Sequence, residues 1–316
     1  MKLSQLVKFK QLLSELSVRH SADIAHSELG DIVQRVAGYE LQFGEFTPRL
    51  MDNFDRVNRE FSAFQGTVDD LLEDINEVIA SQESRYFANS YDLYRDLMPH
   101  ETDEYILNRR FREITEDVYN FLHSRIHKYD SWEHAGMIIR PGLETFIDSM
   151  VACDPMYLVD IRHGLLQPTL DRFQDPYRRR LRPYVVKEEQ DQPILGKLPD
   201  GQFGFVLAYN IFNFRPFEMI GKYLTEIYQK LRPGGTLAMT YNNCDLAHGV
   251  VLTELNYMCY TPGRLVEQLA RRIGYEITFR YDTHSPNTWL EITKPGTAQS
   301  IKGGQALAAV TPKSST

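Results

Sequence analysis

Apolar residues follow two different patterns along this chain, and the change comes near Trp132. Before it they recur at steps of three and four. Leu6, Phe9, Leu13 and Leu16 predict an amphipathic helix over residues 3–17. The same spacing runs from Leu50 through Phe54, Val57, Phe61, Phe64, Val68, Leu71 and Ile75 to Val78, with charges between. Sustained spacing of this kind is that of a coiled-coil seam. A long helix docked against its own domain gives the same pattern, and Phe at seam positions with Gly66 inside the helix suits that arrangement. Residues 86–129 stay helical in character, rich in tyrosine, with Leu93, Leu97, Ile106, Phe111, Ile114, Val118, Phe121 and Leu122 as apolar positions and a break at Pro99.

After Trp132 come short apolar runs separated by turn residues. Residues 137–139 lead into Arg140-Pro141-Gly142 and a helical stretch ending at Ala152; residues 156–159 close on Asp160, and 182–187 offer another short strand. The run 203–208 is followed by helical spacing at Met219, Ile220, Tyr223, Leu224, Ile227 and Leu231, a turn at Arg232-Pro233-Gly234-Gly235, and a strand over 236–241. Near-continuous apolar strands joined by a helix predict a parallel pair covered on both faces. Residues 276–281 and 288–293 read as a terminal hairpin. The order is that of an α/β sheet preceded by an all-α region.

Charge sharpens the division. The formal net charge is −8, and residues 1–125 alone carry −9, which argues against nucleic acid as the partner of the first part. Cys153, Cys244 and Cys259 show no paired spacing, so neither a disulfide framework nor a zinc knuckle is indicated. His123 and His127 share a helix face, but Ser124 stands where a zinc protease carries its glutamate, and a solvated face is the plainer reading. No apolar run reaches signal-peptide or membrane-span length, and the expectation is a cytoplasmic protein without a membrane partner.

In an open parallel sheet, ligands bind beyond the carboxyl ends of the strands. That rule selects the turn after Ile139, then Asp160, Glu188, Glu189, Asn210, Asn242 and Asn243. Asp160 closes the second strand 18 residues beyond Gly142, the place from which a carboxylate accepts ribose hydroxyls. Its alternative role is to cap the helix that begins near His163. Asp245 and His248, three residues apart, pair as orienter and base; Arg172, Arg178, Arg179, Arg180 and Arg182 are either an anion site or a solvated helix face.

Asp200-Gly201-Gln202-Phe203-Gly204-Phe205-Val206 and Leu231-Arg232-Pro233-Gly234-Gly235-Thr236-Leu237 resemble the fourth-strand and fifth-strand motifs of class I S-adenosylmethionine-dependent methyltransferases. The resemblance spans residues 134–294 and implies a Rossmann-like methyltransferase sheet whose last strand is antiparallel. It implies S-adenosylmethionine as cofactor, with Asp160 at the ribose, Glu188 or Glu189 near adenine, and Tyr209 and Asn210 leading to the reacting centre. The glycine-rich loop departs from the family. Gly142 is its only glycine, and Arg140 replaces the usual acid, so Arg140 is expected to hold the methionine carboxylate, with Glu144 as a substitute partner.

The expected organisation is a helical region 1–130 that builds a homo-oligomer, a methyltransferase-like domain 131–294 and a disordered tail 295–316. The expected activity is methyl transfer to an O or N nucleophile, through Asn210, Asp245 and His248. The alternative is a degenerate methyltransferase fold retained as a structural or binding module in an oligomer.

Overall fold

The computed structural model describes residues 2–25, 47–97, 100–110, 115–141, 146–189, 191–282 and 287–297. Four helices precede the sheet among these residues: α1 (Leu3–Ala25), α2 (Thr47–Leu97), α3 (Asp103–Arg110) and α4 (Glu116–His127). Strands β1 (Ala135–Ile139) and β2 (Met156–Asp160) come next, then the short helices α5 (His163–Asp171) and α6 (Asp175–Arg178), β3 (Leu181–Val185) and β4 (Phe203–Ala208). Helix α7 (Phe217–Lys230), β5 (Leu231–Asn242), α8 (Ala247–Glu254), α9 (Gly263–Ile273) and the hairpin β6 (Glu276–Asp282) and β7 (Asn287–Thr293) complete the order.

Contacts divide the chain into two compact units, Met1–Tyr86 with Leu246–Val251, and Phe87–Asp245 with Leu252–Thr316. This division falls inside α2. The Pro99 break, Gly142, Glu144 and the tail beyond residue 297 lie outside the described residues.

In the first unit, the apolar row of α2 splits. Val68, Ile75 and Ile79 are buried, whereas Phe64, Leu71 and Val78, spaced by seven, are 40–43% exposed. The side chains of Leu50, Phe54, Val57 and Phe61 lie outside the described residues. On α1 the buried set is Leu3, Leu6, Val7 and Leu13, and Phe9 faces solvent. The face is rotated from the expected one.

In the second unit the strands form one sheet in the order β3-β2-β1-β4-β5-β7-β6. All neighbours are parallel up to β5, and β7 pairs antiparallel with both β5 and β6. Strands β1 and β4 are wholly buried, as their uninterrupted apolar runs require in a sheet covered on both faces. Strand β3, at one edge, carries Pro183 in its centre, a residue that edge strands tolerate because the ladder there needs no donor. The Pro-Gly-Gly segment locks β5 beside β4. Gly234 sits at φ 75°, and a Cβ on Gly235 would meet the Phe203 carbonyl oxygen at 2.6 Å. Cys153, Cys244 and Cys259 are all buried as free thiols, and burial pushes the Cys153 pKa up to about 11.

One buried charge ties α4 to the sheet. Glu291 of β7 is fully buried and accepts from Arg125 Nε and Nη2 at 2.8 and 2.6 Å, from the Tyr129 hydroxyl at 2.7 Å and from the Trp289 indole at 3.0 Å. Replacing Arg125 with methionine leaves that carboxylate short of its charged partner, so Arg125→Met should destabilise the protein by about 3 kcal/mol. Urea unfolding at neutral pH measures it, and adding Glu291→Gln should recover part of the loss; a double variant no better than the single one would contradict this account.

Candidate active site

The carboxyl ends of β1, β2 and β3 converge on a cluster of charges that water does not reach. Asp160, the last residue of β2, is fully buried, and its Oδ1 accepts the Ile161 N–H at 2.7 Å. The helix cap expected as its alternative role belongs elsewhere: Arg162 occupies the N-cap of α5, with no side-chain cap. Glu188 lies three residues beyond β3, and only 4% of its side chain is exposed.

Arg140 follows β1 with its backbone at φ 63°, a conformation that costs a residue with a Cβ about 1–2 kcal/mol. Its guanidinium is buried and lies in close ion-pair contact with Glu188, with Nη1 3.6 Å from Asp160. The expected partner Glu144 lies outside the described residues, as does Gly142. With Asp160 and Glu188 holding it, the guanidinium is not presented to a ligand carboxylate in this conformation.

Three further residues complete the cluster. Arg215, in the segment between β4 and α7, donates through Nε to Glu188 Oε1 at 2.9 Å and through Nη1 to the Phe214 carbonyl at 2.9 Å. Tyr223 of α7 donates to the same Oε1 and Tyr94 of α2 to Oε2, each at 2.7 Å. Burial and the adjacent Glu188 charge hold both phenols well above their ordinary pKa, so they stay protonated and donate. Burial pushes the Glu188 carboxyl up, but the Arg140 and Arg215 guanidiniums outweigh it and hold it far below the usual carboxylate range. Arg140, Arg215, Asp160 and Glu188 together balance to zero charge.

Outward of this cluster is a cleft of about 400 Å³ whose walls include Tyr91, Tyr94, Ile161, Val186, Arg215 and Met219. Glu189 lies on it too, exposed and paired with Lys187 at 3.3 Å. The cleft therefore combines apolar walls with carboxylate and guanidinium groups, the lining of a small-molecule site.

The remaining predicted residues are placed differently. Asn210, at φ 52°, donates its N–H to Thr240 Oγ1 at 2.6 Å and accepts from Asn213 Nδ2 at 2.7 Å, so it ties β4 to β5. Tyr209 packs edge-on against Phe146. Asn242 donates to the Cys259 carbonyl at 3.1 Å. Asn243 and Asp245 satisfy the first N–H groups of α9: Asn243 Oδ1 accepts from Gly263, and Asp245 accepts from Arg264 N–H at 2.6 Å and its guanidinium at 2.5 Å. Asp245 is thus engaged by α9, and His248 is an exposed residue of α8 in the first unit. Within the basic cluster, Arg172 and Arg180 face Asp148 and Asp154, as on a solvated surface.

Strand order decides the fold. Parallel strands in the order 3-2-1-4-5, closed by an antiparallel β7 between β5 and β6, form a Rossmann-like sheet of the kind the sequence resemblance implies. No family model and no curated protein matches the chain. Among solved structures it is similar to a putative methyltransferase of Haloferax volcanii in complex with the Trm112 activator, at 12% identity and TM-score 0.44 over 56% of this chain and 91% of that one. It is also similar to the N-methyltransferase NodS of Bradyrhizobium japonicum, at 9% identity and TM-score 0.43 over 58% and 99% of the two chains. A third, a SAM dependent methyltransferase of Aquifex aeolicus, gives 10% and 0.41 over 54% and 89%.

The buried charges make the cluster sensitive to acid. Because the folded pKa of Glu188 is depressed, its stabilisation is present above the unfolded carboxyl range, about pH 4, and is lost as pH falls below it. Glu188→Gln should therefore be less stable than wild type at neutral pH, by about 3 kcal/mol, and the two stabilities should draw together as pH drops. Denaturant unfolding over a pH series measures this, and a constant gap across the series would exclude Glu188 as the titrating group.

Proposed function

We propose that this methyltransferase-fold chain is an S-adenosylmethionine-dependent methyltransferase acting on an O or N nucleophile. The observation that supports the reading is the pair of carboxylates at the ends of β2 and β3, Asp160 and Glu188, with the apolar-walled cleft beside Glu188. The donor set fits the group. Asp160 is the carboxylate suited to ribose hydroxyls, Ile161, Val186 and Met219 supply apolar surface for a purine, and Glu189 lies at the rim.

When bound, S-adenosylmethionine supplies an electrophilic methyl group on a sulfonium. The chain's own residues bind and orient. Glu188 is fixed by Arg215, Tyr94 and Tyr223, so it holds the floor of the cleft rigid, and rigidity at a binding site lowers the entropy lost on association. Asn210, held between Thr240 and Asn213, fixes the backbone at the end of β4 next to Tyr209.

We also propose that the chain forms a homo-oligomer through its N-terminal helices, on the exposed row Phe64, Leu71 and Val78. Seven-residue spacing keeps these side chains on one line of α2, the geometry that a second helix covers in a coiled coil.

Titration calorimetry of the full chain with S-adenosylmethionine and S-adenosylhomocysteine tests the first proposal. Both should bind, and Asp160→Asn should weaken both about tenfold or more, because hydrogen bonds to a charged acceptor are lost. Absence of binding at millimolar ligand would end the enzyme reading and leave the structural module. Sedimentation equilibrium tests the second. Leu71→Glu should shift an oligomer towards monomer, and a wild-type chain that is monomeric at every concentration would end that proposal.

A further inference from the structure

We infer that Arg140 is a displaceable occupant of the ligand-binding carboxylates, so that ligand affinity is set by competition between its guanidinium and the ligand's hydroxyls. The inference rests on the methyltransferase reading above and concerns what that site must release before it can bind.

Among the described residues of the second unit, Arg125, Arg140 and Arg215 meet buried carboxylates, and Arg125 and Arg140 do so differently. Arg125 forks onto Glu291 with two short hydrogen bonds, Nε to Oε1 and Nη2 to Oε2, the geometry of a permanent pair. Arg140 forms no such fork. Its Nη2 lies in close ion-pair contact with Glu188 Oε1, and its approach to Asp160 is a 3.6 Å ion pair, too long for a hydrogen bond. One close contact and one long ion pair hold a guanidinium less firmly than two parallel hydrogen bonds, which makes this packing easier to exchange than the fork on Glu291.

One more observation favours exchange over permanence. Glu188 would not be stranded by its departure, because Arg215, Tyr94 and Tyr223 still hold that carboxylate. Asp160 keeps the Ile161 N–H, and the hydroxyls of an incoming ribose would take up the capacity that Arg140 leaves. Asp160 is fully buried with the guanidinium beside it, so a ligand diol that reaches its carboxylate would have to take the guanidinium's place.

The competition reverses the sign expected for this residue from its sequence position. Arg140→Gln removes the charge and keeps a side chain of similar reach, whereas Arg140→Gly also relieves the φ strain. Titration calorimetry with S-adenosylhomocysteine should give both variants an affinity about tenfold or more above wild type. If wild type binds and the variants bind equally or more weakly, Arg140 is a ligand contact or a bystander, and the competition is overturned while the cofactor reading stands. If neither wild type nor variants bind at millimolar ligand, the cofactor reading fails and the inference with it.

A measurement on the wild-type chain avoids dependence on how the variants fold. With arginine side chains labelled with nitrogen-15, adding S-adenosylhomocysteine should shift the Nε–H resonance of one buried arginine and speed its exchange with water. Ligand binding that leaves every buried arginine resonance unmoved would overturn the inference.

Discussion

A single carboxylate, that of Glu188, holds together two guanidiniums and two phenols drawn from four separate segments of the chain. The turn after β1, the approach to α7, α7 itself and the last turns of α2 all meet at its two oxygens. Burying one carboxylate against one arginine seldom gains much, because desolvation consumes the Coulombic attraction. Here the phenols supply the hydrogen bonds that a carboxylate loses on leaving water, and they remain neutral donors because the same burial opposes their ionisation. Asp160 then brings the cluster to electrical balance. The floor of the cleft is polar and neutral at once, which keeps it intact without solvent.

Much of the sheet was legible in the sequence because strands and helices write local periods. The uninterrupted run of β4, the helical spacing of α7 and the Pro-Gly-Gly segment specify a parallel pair, and the terminal hairpin follows from its alternating residues. Asp160 and Glu188 were marked by the same logic, as acids at or beyond strand ends, and that is where they stand. Arg215 was not, for it stands in Asn-Phe-Arg-Pro, a segment with neither period nor motif. Tyr94 was not found either. Its helical spacing marks a face, but nothing local says that the face meets Glu188, 94 residues away. Asp245 shows the same limit: its proximity to His248 in sequence suggested a pair, and nothing local indicated that its carboxylate also bonds Arg264, 19 residues on.

The heptad row of α2 illustrates a different limit. A period of seven says that two lines of apolar residues run along the helix, and it is silent about what covers each line. Val68 and Ile75 are buried within the chain, while Phe64, Leu71 and Val78 are left facing water. Internal packing therefore accounts for one row of the helix, and the other is the row on which the proposed intermolecular seam would form.

The three cysteines offer a clock for the breathing of the sheet. Each thiol is buried, and burial holds the Cys153 pKa at about 11, so the closed structure presents almost no thiolate at neutral pH. Alkylation must therefore wait for the surrounding structure to open. Cys153 lies in the core beside Gly136 of β1, whereas Cys244 and Cys259 lie in the hydrogen-bonded layer around Asn242 at the end of β5. Site-resolved modification rates thus separate opening at the strand that carries Arg140 from opening at the far side of the sheet, without any added probe.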